Sequence, residues 1–187
     1  MKSTLLITGA ADSQVRFLCG HGAGAAMDSP FLNLFAALLA ERGVQTIRFE
    51  FKYMAARREG GKRKPPPKAE TLMPEMLALI EEVGPGAPLI IGGKSMGGRV
   101  ASLVAAQVYK AKQIKGLVCL GYPFHPPNKP ESLRTQHLET LACPTLIVQG
   151  ERDPFGPRPE VESYKLSKAI RYHWAPDGDH DLGPRGA

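Results

Sequence analysis

The stretch Leu89-Ile90-Ile91-Gly92-Gly93-Lys94-Ser95-Met96-Gly97-Gly98 limits what this chain can fold into more than any other. A short apolar run meets a glycine-rich corner with one serine. Arg99-Val100-Ala101-Ser102-Leu103-Val104-Ala105-Ala106 then follows at once as a helical pattern. The order is strand, tight turn, helix. Gly93-Lys94-Ser95-Met96-Gly97 fits G-x-S-x-G. In that pattern small residues two before and two after the serine let neighbouring backbone approach, and the serine itself takes a strained turn. The hydroxyl then projects at the carboxyl end of the strand, where the new helix points its first N–H groups. Glycine spacing alone is a weak signal; the strand before it and the helix after it give it weight.

The rest of the chain repeats this alternation. Val15 to Cys19, Val44 to Phe51, Ile114 to Leu120, Thr145 to Val148 and Ile170 to Trp174 read as strands, with Thr4 to Thr8 as an edge strand. Phe31 to Arg42 places apolar residues at helical spacing and ends before Gly43, and Thr71 to Val83 does so with Pro74 in its first turn. Glu131 to Leu141 holds at most a short helix, and Val161 to Ala169 reads as another. Strands alternating with helices predict an α/β domain: a mainly parallel central sheet with helices on both faces. One domain, 1–187, suits this length. In such sheets ligands gather at the carboxyl ends of strands. His21, Ser95, Asp153 and His180 all follow strands.

Composition bounds the setting. Lys2 and then only Leu5-Leu6-Ile7 precede Thr8-Gly9, too short for a signal-peptide core, so the expectation is a cytoplasmic chain away from membranes. Three scattered cysteines, Cys19, Cys119 and Cys143, suit a reducing compartment and offer no metal-like spacing. The net charge of +6 draws on Lys52, Arg57, Arg58, Lys62, Arg63, Lys64 and Lys68, a stretch that has only Glu59 in return. Two readings stand for this stretch from Lys52 to Lys68: a solvated loop, or a funnel for an anionic substrate or partner. With one aromatic, Tyr53, and no nucleic-acid fold signature, it points away from nucleic acid.

A serine hydroxyl is a poor nucleophile at its free pKa and needs an adjacent base. The base in turn needs an acid to hold its tautomer. Ser95, Asp153 and His180 supply these types at strand ends. His21 lies in a glycine loop that it shapes; His125, His137 and His173 lie in loop, helix or strand patterns of structural character. Asp177, Asp179 and Asp181 are too near His180 in sequence to orient its ring from behind, and Asp177 and Asp179 suit Asx-type loop bonds. An oxyanion hole needs two backbone donors. Met96, next after the serine, gives one N–H; Gly20-His21-Gly22-Ala23-Gly24 gives the other, at Ala23.

Gly-His-Gly-Ala-Gly, Gly-Gly-Lys-Ser-Met-Gly-Gly-Arg, Gly-Glu-Arg-Asp-Pro-Phe-Gly and Gly-Asp-His-Asp-Leu together resemble the small α/β-hydrolase-like family. That family includes testis-expressed hydrolase-like proteins and bacterial predicted hydrolases, and is similar more distantly to dienelactone hydrolases. The resemblance spans nearly the whole chain, including Arg57-Arg58 to Pro66. It implies an α/β-hydrolase fold with Ser95 as nucleophile, Asp153 as acid and His180 as base. The order Ser95, Asp153, His180 is that family's order. Members usually continue into a C-terminal helix, whereas this chain ends at Ala187, shortly after His180. The expectation is a sheet face left open near the first strands, which a homodimer would cover, and no cap domain. The function expected is a serine hydrolase without metal or organic cofactor, acting on a small ester or thioester. His21, Gly22, Lys94, Arg57 and Arg58 are the candidate substrate-binding residues, and Lys94 with the basic stretch leans toward an anionic acyl substrate. The alternative is the same fold with an idle triad, used as a binding or scaffold module.

Overall fold

The computed structural model describes residues 4–62 and 65–186. Strands β1 (Leu5–Thr8), β2 (Val15–Gly20), β3 (Val44–Phe49), β4 (Leu89–Lys94), β5 (Gly116–Leu120), β6 (Thr145–Gly150) and β7 (Ile170–Ala175) form one sheet in the order β1-β3-β2-β4-β5-β6-β7. Only β1 pairs antiparallel, to β3; the other pairings are parallel. Helices α1 (Pro30–Ala40), α2 (Lys52–Arg58), α3 (Met73–Val83), α4 (Met96–Lys110) and α5 (Arg158–Val161) connect them. None of the described helices is long and apolar enough to cross a membrane.

Strand alternation assigns the two faces. Leu18 of β2 joins Ile91, Val100, Val104 and Met76 in a core under α3 and α4, while Phe17 and Cys19 join Leu32 in a second cluster under α1. α1 starts where the sequence sets its cap: Ser29 Oγ accepts from the Leu32 N–H at 3.5 Å, and Pro30 occupies the first turn. On the α1 face Arg48 is buried, and its guanidinium donates to the Met27 carbonyl at 3.0 Å, to Asn33 Oδ1 at 2.6 Å and to Thr8 Oγ1 at 2.9 Å. One arginine thus ties the α1 loop to the β1 edge.

Three expectations change. The opening of the basic stretch is not loop: Lys52–Arg58 is helix, with Met54 buried and Arg58 gripped by Asp28 and Glu50. Arg63 and Lys64 lie outside the described residues. Helix between β6 and β7 is confined to Arg158–Val161, because Pro157 and Pro159 fit only a first turn and the chain then breaks into turns that reach Ile170. The sheet face expected to lie open near the first strands is covered there by α1; on the sheet itself the exposed large apolar side chains are Ile7 of β1 and Leu146 of β6. After β7 the described chain runs without helix to Gly186.

At the junction of β2, β4 and α4 the backbones lie too close for side chains. Gly93 has φ +147°, and a Cβ there would sit 2.1 Å from the Gly20 carbonyl oxygen. A Cβ on Gly97 would meet the same carbonyl group at 2.4 Å. The Gly97 N–H donates to the His21 carbonyl at 3.0 Å, locking the helix start onto the loop after β2. A methyl group here forces backbone to move, since packed interiors yield little. Gly97→Ala is therefore expected to cost about 1–3 kcal/mol, read as a shift in the urea unfolding midpoint at unchanged slope.

Candidate active site

Ser95 sits at the turn between β4 and α4 with φ 48° and ψ −109°, a backbone region that side-chain-bearing residues rarely take. Its N–H donates to the Leu120 carbonyl of β5 at 2.9 Å, and its carbonyl accepts from the Arg99 N–H at 3.0 Å. Both bonds hold the turn, so the Oγ projects above the carboxyl edge of the sheet. There it lies 2.9 Å from His180 Nε2, and His180 Nδ1 lies 2.8 Å from Asp153 Oδ2. An ionised carboxylate only accepts, so Nδ1 carries the ring proton and Nε2 is left to accept from the serine hydroxyl. The three residues predicted from separate strand ends thus form one hydrogen-bonded chain.

Asp153 is fully buried, and each oxygen has a donor that fixes its orientation. Oδ1 accepts from the Phe155 N–H at 2.8 Å, and Oδ2 accepts also from Gln149 Nε2 at 2.9 Å. Gln149, wholly buried at the end of β6, also accepts from the Tyr122 N–H at 2.7 Å through Oε1, joining Asp153 to the chain after β5. The Phe155 ring packs on the His180 imidazole with centroids 4.2 Å apart. The sequence reading passed over both residues. One signal was there: Thr145, Ile147 and Gln149 share the buried face of β6, where a glutamine needs a partner.

The loop carrying His180 is tied from several sides. Asp179 Oδ1 accepts from the Asp181 N–H at 2.8 Å and from the Gly183 N–H at 3.3 Å, the Asx-type arrangement expected for it. Asp177 pairs with Arg152 at 2.6 Å. Lys94, beside the serine, donates from Nζ to the His180 carbonyl at 2.7 Å and pairs with Asp181 at 3.2 Å. Burial pulls the Lys94 ammonium below its ordinary range, against the pull of Asp181.

The other site candidates fare differently. Met96 is the first residue of α4, where a helix leaves its N–H without an intrahelical acceptor. Ala23 lies half-buried in the loop after β2, its carbonyl accepting from Tyr53 OH at 3.2 Å. The His21 ring is fully buried, and both of its nitrogens are engaged within the fold. Nδ1 donates to the Gly22 carbonyl at 2.6 Å and Nε2 accepts from the Phe51 N–H at 3.2 Å. Gly22 is buried beside the Lys94 stem. Arg57 lies over the Tyr53 ring at 5.4 Å from its centroid, and Arg58 is held by two carboxylates, so its charge is answered within the fold. Lys94, likewise, spends its charge on the histidine loop rather than on open solvent. Among the described residues no three His, Cys, Asp or Glu side chains gather as a metal site would require.

Of the remaining histidines, His125 pairs with Glu160 at 3.1 Å and His173 lies exposed on β7. His137 meets Ser102 Oγ at 2.8 Å. The three cysteines are buried and free, with Cys19 pushed up to about 12 and Cys143 to about 11 by burial, so neither is a thiolate at neutral pH.

With this geometry in view, comparison with known proteins identifies the family. A family model described as an alpha/beta hydrolase domain matches residues 13–187. The chain belongs to the α/β hydrolase family. Its fold is similar to an alpha-beta serine hydrolase homologue from Coxiella burnetii, at 20% identity and a TM-score of 0.68, over 95% of this chain and 83% of that one. It is similar also to a dienelactone hydrolase from Anabaena variabilis, at 18% identity and a TM-score of 0.71, over 98% and 85%. A third likeness is a serine hydrolase without lid from Xanthomonas campestris, at 18% identity and 0.68, over 95% and 80%. At these identities the likeness is one of fold. This α/β hydrolase, too, carries no cap among its described residues.

The buried neutral histidines give a pH test of the packing around them. Burial first, and the Arg99 charge second, push His137 from 6.5 down to about 4; His21 is lowered mainly by burial. The unfolded chain therefore binds more protons in that window, and stability falls as pH drops from about 6.5 toward 4. Urea midpoints measured across this range should decline, and His137→Gln should flatten the decline.

Proposed function

We propose that this α/β hydrolase is a serine hydrolase that cleaves a small ester or thioester through a covalent acyl-enzyme. The observation that carries the proposal is the hydrogen-bonded chain Ser95–His180–Asp153 standing on a strained strand-to-helix turn. In this reading His180 Nε2 removes the hydroxyl proton as Ser95 Oγ attacks the carbonyl carbon. The carbonyl oxygen gains charge, and the N–H groups of Met96 and Ala23 stabilise it. His180 then gives its proton to the departing alcohol or thiol, leaving Ser95 acylated. Water repeats the sequence with His180 again as base, and the acid leaves. Asp153, buried and held by the Phe155 N–H and Gln149, stabilises the imidazolium. The open edge of the sheet around Ser95 suits a small acyl group.

Lys94 belongs to the same machinery as a positioning residue. Its ammonium grips the main chain of His180 itself, so the base is registered against the strand that carries the nucleophile.

Two measurements test this. A fluorophosphonate probe should label the wild type and leave Ser95→Ala unmodified, with turnover of short p-nitrophenyl esters falling about 10⁴- to 10⁶-fold in that variant. A folded wild type that neither labels nor turns over would sink the hydrolase reading and leave the binding module. Separately, Lys94→Met keeps the buried stem and deletes the charge. The expected result is kcat lowered about 10- to 100-fold with KM little changed; a KM effect alone would restore Lys94 to the substrate.

A further inference from the structure

Away from Ser95, the helix α4, the short turn Ala69–Leu72 and the segment Leu133–His137 line an open-sided cavity of about 340 Å³. Its polar lining is strongly one-sided. Arg99 and Arg134 both face it, against the single carboxylate of Glu70, and His137 completes the wall. The Arg99 side chain is 16% exposed and bonds Glu70 Oε1 at 2.5 Å through one terminal nitrogen. Its Nε is fully buried with no hydrogen-bond partner. Among the described residues the Arg134 guanidinium has no hydrogen-bond acceptor, although its main chain is engaged at both ends: its N–H donates to the Phe124 carbonyl and its carbonyl accepts from Tyr122 OH. The segment that bears it is thus held in place while the charged fork is left open.

That arrangement is costly as it stands. Two guanidinium groups face one half-exposed carboxylate, and the buried Arg99 Nε lacks an acceptor. Burial and the facing Arg99 charge hold Arg134 below the ordinary guanidinium range, and the same two influences keep His137 uncharged. An anion with several acceptor oxygens removes the imbalance, because guanidinium forks match phosphate and carboxylate oxygens pairwise.

We propose that this cavity is a binding site for a phosphate or carboxylate group, held between the guanidinium groups of Arg99 and Arg134. Position ties it to the nucleophile. Met96, Arg99 and Leu103 share one face of α4, and Arg99 lies a turn beyond Ser95, about 6 Å along the helix axis. The anion is either part of the substrate or a separate small ligand. The assignment of the cavity stands independently of whether Ser95 is catalytic, because binding is measured without turnover.

Calorimetric titration with inorganic phosphate in an amine buffer, whose base form is uncharged, at low ionic strength tests the site. Wild type and Lys110→Gln, a distant surface variant, should bind one phosphate alike, and Arg134→Gln should weaken binding at least tenfold. Glu70→Gln removes the competing carboxylate and should tighten it, a gain that misfolding cannot mimic. No saturable binding in the wild type, equal affinity in Arg134→Gln and Lys110→Gln, or no gain in Glu70→Gln overturns the proposal. Once binding is established, competition between phosphate and a neutral p-nitrophenyl ester assigns the anion to the substrate, and binding without competition assigns it to a separate ligand.

Discussion

The contact on which this structure depends is the meeting of two backbones with nothing between them. Where the first turn of α4 presses against the end of β2, Gly97 lies too close to the Gly20 carbonyl for even one methyl group, and the Gly97 N–H is bonded to the His21 carbonyl. This single junction sets the distance between the serine turn and the glycine loop after β2. Met96 opens the helix on one side of it, and Ala23 lies in the loop on the other. His21 then acts as a clip rather than a reagent: its two ring nitrogens fasten the loop to itself and to Phe51 at the end of β3. Backbone strain at Ser95 is sustained because β5 and α4 grip it from both sides.

A second organising theme is how His180 is held. His180 comes from the last loop, yet what positions it comes from β4, β6 and the turn after β6: Lys94, Asp153 and Phe155. Asp153 is itself held by Gln149, which reaches across to the segment after β5. The site is thus not three residues but a band of polar contacts laid across the carboxyl ends of three adjacent strands. Preorganisation of this kind lets fixed dipoles act without being rearranged during a reaction.

Much of this was legible in the sequence, and the boundary of what was legible has a physical basis. The strand, turn and helix around Ser95 are set by residues adjacent in the chain, so local patterning exposes them. Asp153 and His180 were legible because parallel sheets gather strand ends on one edge. The contacts of Lys94 and Gln149 were not, since each has a partner brought near only by the sheet; Lys94 meets a carbonyl 86 residues away. Lys94 read as a free cation because its neighbours in sequence are glycines and a serine, with no carboxylate in sight. The helix Lys52–Arg58 was hidden by its charges, although Met54-Ala55-Ala56 are good helix formers. Arg99 and Arg134 face one cavity only after α4 and the segment beyond β5 have docked.

The loop that carries His180 contains two side-chain-bearing residues in left-handed backbone conformations, Asp177 at φ 51° and Leu182 at φ 66°. Its anchors are polar, and several of them, such as Asp179 and Asp181, are open to water. The sheet beneath is fastened by a continuous apolar core. The two therefore answer to different temperatures. Local openings start from segments held by few apolar contacts, so warming is expected to part His180 from Ser95 while the strands are still paired, and cooling to rejoin them without refolding.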